Sequence, residues 1–333
     1  MTIDVSAAPA PARSHPRRGR GGGWAIVARK ELTDHLLSAR FYALMAVLAL
    51  AAAAAVYSAG SGIRDAAQNA AGSPGLFLKL FTLQSDPIPF SYTGFVGFMA
   101  PLVGIALAFD AINGERAQST LPRLVAQPIH RDDVINGKFV AGLTTIGLLF
   151  VVVTAVVAGL GLFRLGIVPS LSDLARLLLW LVAATAYVGV WLALALLCSV
   201  LMRRAATSAL VGIAVWIVVV IFGSLLAQLG ADVIRPENAS QPVTTLENAR
   251  AQENLSRLSP GTLFDEASTA LLNPEVRTVG VVTRAQATLA IVSTLSVPQS
   301  LLLIWPQLVG MIAIIVVLFA WAYVAFMRQE VRA

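Results

Sequence analysis

Few residues in this chain are of types that do chemistry, and the densest group of them lies at positions 110–138, DAINGERAQSTLPRLVAQPIHRDDVINGK. It holds Asp110, Glu115, Arg116, Arg123, His130, Arg131, Asp132, Asp133 and Lys138. Their spacing is that of a binding surface, not of a reaction centre. Gly137-Lys138 lacks the upstream glycine and the following hydroxyl of a phosphate-cradling loop, so no ATPase activity is expected of the chain itself. No His-Glu-x-x-His, Cys-x-x-Cys or Gly-x-Ser-x-Gly occurs in the sequence. His15, His35 and His130 are far apart, and the single cysteine, Cys198, sits in an apolar stretch. One thiol makes neither an intrachain disulfide nor a metal cluster, and the six Met are scattered without a grouping that would suit copper. No catalytic residue, no metal ligand and no cofactor bound by this chain are expected.

The chemistry that remains is recognition, and the neighbouring sequence says where. Apolar runs at 92–111 and 139–163 flank the polar island. Each is about 20 residues or more, enough to cross a hydrocarbon core of about 30 Å at about 1.5 Å per residue. The island therefore reads as a short loop between two membrane spans, and Arg116, Arg123, Arg131 and Lys138 place it on the cytoplasmic side. Thr120, Leu121, Leu124 and Val125 group on one side of a short amphipathic helix, with Glu115, Arg116, Gln118 and Arg123 around them. Pro128 ends that helix, and Asp132 and Asp133 suit the start of the next. Asp110, at the inner end of its span, is expected to pair with a basic residue of the loop or with a docked subunit; a proton or ion relay is the alternative.

The elements that must position this loop follow from composition and order. With 333 residues, 57% hydrophobic and only 13% charged, and a mean hydropathy of +0.77, the chain reads as a polytopic membrane protein. The net charge of +6 comes from arginines at the N-terminus and beside spans, where they set topology and touch anionic membrane lipid, so no nucleic-acid partner is expected. Residues 1–23 form a disordered basic tail, and 24–40 an amphipathic helix with Trp24, Val27, Ala28, Leu32, Leu36 and Ala39 as its apolar stripe. Residues 41–229 hold spans one to five, at 41–58, 92–111, 139–163, 174–202 and 206–229, with the cytoplasmic loop at 112–138. Pro101 should kink the second span, and 76–83 is a short helix for the outer interface. Residues 230–300 form an extracytoplasmic, mostly helical segment with helices at 244–258 and 260–272; 301–327 is the sixth span and 328–333 a short tail. About fifteen of the 24 Lys+Arg fall on the inner side of this scheme, with both termini cytoplasmic.

The loop resembles the signature of the type-2 ABC exporter permeases, and is closest to the subgroup containing the permease of the nitrous-oxide-reductase copper-maturation system. Glu115, Arg116, Thr120, Leu121, Leu124, Pro128, Ile129, Arg131, Gly137 and Lys138 match; Ser119 stands where glycine is usual and His130 where serine is usual. Lys30, Glu31 and Leu32 match the core of that family's elbow helix. Ser259, Pro260, Leu263, Phe264, Glu266 and Ala267 match its outer-loop motif, and Arg328 and Glu330 its ending. The resemblance implies an all-α membrane protein of six transmembrane helices behind an interfacial elbow helix, in the bacterial cytoplasmic membrane. It implies a permease subunit without a nucleotide site, driven by two copies of a separate ABC ATPase subunit that bind ATP and Mg. It also implies a homodimer or a pairing with a second permease. In that frame Leu121 and Leu124 fill a groove of the ATPase, and Glu115, Arg116 and Arg131 make polar contacts that align it. Thr120, Pro128, Gly137 and Lys138 complete the coupling set. Two other readings stay open at this stage: a membrane anchor or assembly factor that recruits an extracytoplasmic partner, and a secondary carrier. The absence of charge in the middle of the spans tells against the carrier, and their apolarity favours lipid-like or amphipathic cargo.

Overall fold

In hydrocarbon every backbone N–H and C=O must bond within its own segment, so apolar stretches of this length fold as helices. The computed structural model describes residues 22–69, 75–84, 90–118, 130–236, 242–275 and 295–329. Among these the regular elements are all helical: α1 (Gly23–Leu36), α2 (Ala39–Asn69), α3 (Leu76–Thr82), α4 (Tyr92–Ala108), α5 (Asn113–Ala117), α6 (Arg131–Leu165), α7 (Leu171–Leu201), α8 (Ala205–Trp216), α9 (Gly223–Ile234), α10 (Pro242–Ser256), α11 (Pro260–Leu272) and α12 (Val297–Arg328). Five described stretches are long and apolar enough to cross a membrane: Ala39–Tyr57, Tyr92–Ala117, Arg131–Leu165, Leu171–Leu201 and Val297–Arg328.

The span expected at 206–229 is broken. Ala205–Ile221 and Gly223–Ile234 meet at 58°, and count as a sixth span only if the bent pair is taken together. The bend has two identifiable causes. Ile217–Ile221 winds as a π-helix of five consecutive β-branched residues, and Gly223 follows it at once.

Helix starts are set by local chemistry. Ser170 caps α7, its hydroxyl accepting the Asp173 N–H at 3.1 Å while Asp173 accepts the Ser170 N–H at 3.0 Å. Ser296 and Gln299 begin α12 in the same manner, with the Ser296 N–H donating to Gln299 Oε1 at 2.9 Å. The expected 24–40 helix is divided: α1 ends at Leu36 and α2 begins at Ala39. Ser38 makes the break, bonding back to the His35 carbonyl at 2.7 Å and accepting the Phe41 N–H at 3.2 Å.

The core is built around α7, which packs against α4, α6, α11 and α12. Its Trp180, Tyr187 and Trp191 are buried. Helix α11 lies antiparallel to α7: Leu271 meets the first turns through Arg176 (3.1 Å), Ser268 accepts the Trp180 indole N–H (2.9 Å), and the Phe264 ring stacks on Tyr187 at 4.6 Å. The segment expected to be extracytoplasmic thus packs one of its helices among α4, α7 and α12. Leu263, Phe264, Ala267, Leu271 and Leu272 are an apolar face that only the bundle can cover. Likewise α3, expected at the interface, buries Phe77, Leu78, Leu80 and Phe81 against the bundle.

Candidate functional site

At the α1 end of the bundle the polar residues singled out from the sequence converge on one buried cation. Lys138 Nζ lies 3.0 Å from Glu31 Oε2 of α1 and 2.7 Å from Glu115 Oε1 of α5. The lysine side chain is 6% exposed and the two carboxylates 10% and 17%, so three elements are held by charges almost out of water. Burial alone would push the Glu31 carboxyl up. The Lys138 ammonium, its hydrogen bond and then Lys30 outweigh that, and Glu31 is held below the ordinary carboxylate value. Lys30 bridges Glu31 at 3.1 Å and Asp34 at 2.9 Å on the exposed side. Burial lowers Lys30, but these two carboxylates more than offset it and its pKa is raised. Leu32 is half-buried.

Helix α1 reaches this position because Gly137 has no side chain. A Cβ there would stand 2.6 Å from Val27 Cβ and 2.9 Å from the Trp24 carbonyl oxygen, so only glycine lets α1 lie this close on α6. Asp133 fixes the two helix starts to each other, accepting the Trp24 N–H at 2.9 Å and the His130 N–H at 3.2 Å. This is the helix start expected from Asp132 and Asp133, with His130 as its cap residue.

Asp110 pairs with Arg40 of α2 at 2.7 Å, and the same guanidinium lies over the Phe109 ring. The expectation of a loop cation as partner is corrected, because α2 passes alongside and supplies the nearer charge. Between α1, α4 and α7 a cavity of about 350 Å³ opens, walled by Glu31, Asp34, His35, Asp110, Glu115 and Lys138. His35 is lowered by burial, with Lys138 adding to the effect against the opposing pull of Glu31, Asp110 and Asp34. Among the described residues no group of three or more His, Cys, Asp or Glu is placed to hold a metal ion.

The remaining loop residues divide. Arg116 donates to Gln329 Oε1 and, at 3.4 Å, to the Val200 carbonyl; Arg131 donates to the Gln329 carbonyl at 3.0 Å. Thr120, Leu121, Leu124 and Pro128 lie outside the described residues. Sequence reasoning missed Ser199, whose hydroxyl accepts the Ile112 and Asn113 N–H groups at 2.9 and 3.3 Å, and it missed Gln329. It also missed the pairing of Glu31 with Lys138, although a signal was present: Glu31 follows Val27 by one helical turn, a carboxylate inside an apolar stripe.

A bundle of long apolar helices with one ionic, tightly packed end is that of a multi-pass membrane protein. The chain belongs to the ABC-2 family of transporter proteins, whose model matches residues 25–331. It is similar to the protein named "Probable ABC transporter permease protein NosY" from Pseudomonas aeruginosa, with 34% identity over 116 residues, 35% of this chain and 37% of that one. The protein of the same name from Stutzerimonas stutzeri is 29% identical over 207 residues, 60% of this chain and 67% of that one. The match thus spans about a third of the first relative's length and two thirds of the second's. By family and by its apolar helices the chain is a multi-pass membrane protein of an ABC transporter.

Proposed function

We propose that this permease works in an ATP-driven exporter and that two copies of a separate ATPase drive a pair of permease chains from the α1 end, which faces the cytoplasm. The observation that carries this reading is the Lys138 junction. One buried cation ties α1, α5 and the head of α6, so a push on the segment between Arg116 and Arg131 acts on one connected body. Leu121 and Leu124 fill a groove of the ATPase, with Thr120 and Pro128 shaping the segment that presents them. Glu115, Arg116, Arg131, Gly137 and Lys138 are engaged within the chain, so their part is to hold that segment in place. Lys30, Glu31 and Leu32 give α1 its seat beside it. ATP and Mg are bound by the partner.

The test is co-purification of the tagged chain with its ATPase from membranes, followed by ATP hydrolysis in lipid. Leu121→Asp and Glu115→Arg are each expected to reduce recovery of the ATPase and stimulated hydrolysis. Undiminished recovery and hydrolysis in both variants overturn the docking assignment. Labelling of His130 from the outer surface of intact cells overturns the orientation.

A further inference from the structure

We propose that Gln329, the first residue beyond α12, is a positioning residue that clasps both ends of the 116–131 segment to the closing turns of α7 and α12. Its consequence for transport rests on the docking reading above; its geometry does not.

Every polar group Gln329 can offer outward is used. Its side-chain oxygen accepts from Arg116 and its backbone carbonyl accepts from Arg131 at 3.0 Å. Its side-chain amide nitrogen donates to the Val200 carbonyl at 2.9 Å, to which Arg116 also donates at 3.4 Å. Its own N–H returns to the Phe326 carbonyl at 3.3 Å, which fixes the residue to the last turn of α12.

The Val200 carbonyl explains why such a residue is there. It is among the last four of α7, which the helix itself leaves without partners, and Val200 is fully buried, so water does not serve it. A donor is needed at that spot, while Arg116 and Arg131 beside it need acceptors. Glutamine supplies both. Glutamate would serve Arg116 and offer Val200 no proton, and asparagine is one methylene short of the span. The two arginines bracket the 119–129 stretch, so one residue sets where that stretch begins and where it ends. Displacement of the segment then reaches α7 and α12 directly, besides passing into α6 through the backbone.

The experiment uses the full chain in lipid nanodiscs, in a Cys198→Ala background, with spin labels at Gln118→Cys and Arg203→Cys, both exposed positions. Pulsed dipolar spectroscopy is expected to give one narrow distance, and Gln329→Ala should about double its width. Arg328→Ala, an exposed neighbour outside the cluster, should leave it narrow. An unchanged width in Gln329→Ala overturns the clasp, as does an equal broadening in Arg328→Ala. Should Gln329→Ala not yield folded protein, Gln329→Met is measured; it keeps the side-chain length and removes both amide groups, and a width equal to wild type again overturns the clasp. ATPase recovery on the same variants separates the two assignments. Broadening with recovery about tenfold weaker supports both, whereas broadening with recovery unchanged keeps the clasp and removes the docking role of the segment.

Discussion

Replacing Lys138 with methionine tests the junction most directly, because the side-chain volume is kept and only the charge is lost. Lys138 Nζ sits 3.0 Å from one carboxylate and 2.7 Å from the other. Without it, two negative groups no more than about 6 Å apart face each other, each less than a fifth exposed. Breaking a buried pair by removing one partner costs about 3–5 kcal/mol. Residual solvent at Glu115 and the Lys30 ammonium, still 3.1 Å from Glu31, reduce this to about 2–4 kcal/mol. The loss falls on the attachment of α1, so the assay is amide hydrogen exchange in Gly23–Leu36. At about 1.4 kcal/mol per tenfold, exchange there should quicken by about thirtyfold to several hundredfold. The combined Lys138→Met, Glu31→Gln, Glu115→Gln variant leaves no unpaired charge and should return to within about 1 kcal/mol of wild type. Unchanged exchange in the single variant, or equally fast exchange in the triple, refutes the claim that ion pairing seats α1.

Other expectations follow from the same contacts. Gly137→Ala should destabilise by about 1–3 kcal/mol in thermal unfolding, since the new methyl meets Val27; adding Val27→Ala should restore only part of this, because it removes the γ carbon at 2.7 Å but keeps the Cβ at 2.6 Å, and the Trp24 carbonyl stays 2.9 Å away. His35 and Glu31 both bind protons less readily folded than unfolded, so α1 attachment should weaken as pH falls below about 6.5, first through His35 and then, below the ordinary carboxylate range, through Glu31; His35→Gln should remove the first phase of the exchange profile. Asn113 is 1% exposed and neither of its side-chain amide atoms has a partner among the described residues, so Asn113→Leu should raise the melting temperature, by about 1 kcal/mol in stability. Arg176, buried and donating to Leu271, Ser300 and Leu295, holds α11 and α12 to the start of α7. Arg176→Met should cost about 3 kcal/mol in unfolding and leave exchange in α1 unchanged.

What could be read beforehand follows physical range. The spans were legible because hydropathy accumulates over 20 residues; α7 and α12 begin at Leu171 and Val297, about one turn before the expected 174 and 301, because the capped first turns are less apolar than the spans they open. The 260–272 helix was legible from Ser259-Pro260 and Asn273, which act within a few residues of chain. The placement of that helix among α4, α7 and α12 was not, since an apolar face says that it will be covered and not by what. The break after Trp216 escaped because a run of β-branched residues is common in straight spans. At the site, Glu115, Arg131, Gly137 and Lys138 stood out as a group, but their partners Glu31, Val27 and Gln329 lie about 100 to 200 positions away. Periodicity carries no information at that distance.

The bonds at the α1 end also constrain how a push could travel. Arg40–Asp110 ties α2 to the end of α4, and Ser199 holds the turn that follows α4 against α7. Lys138 ties α1 and α5 to α6. Near the other end of α7, Arg176 ties it to α11 and α12, and the Tyr187 hydroxyl donates to the Gly97 carbonyl of α4 at 2.7 Å. Among the described residues the spans α2, α4, α6, α7 and α12 are therefore cross-linked, whereas the α8–α9 pair bends by 58° and exposes Val218, Ile221, Phe222, Leu225 and Leu226. A packed interior resists continuous deformation, so motion concentrates where packing is least. If an ATPase presses on the 116–131 segment, the cross-linked spans should tilt together and the bend beside Gly223 should take up the angle. Gly223→Ala, whose methyl would stand 3.9 Å from the Ser259 hydroxyl, fits without a clash and stiffens the joint. It should leave ATPase recovery at wild-type levels and lower transport per ATP; unchanged transport would put the moving joint elsewhere.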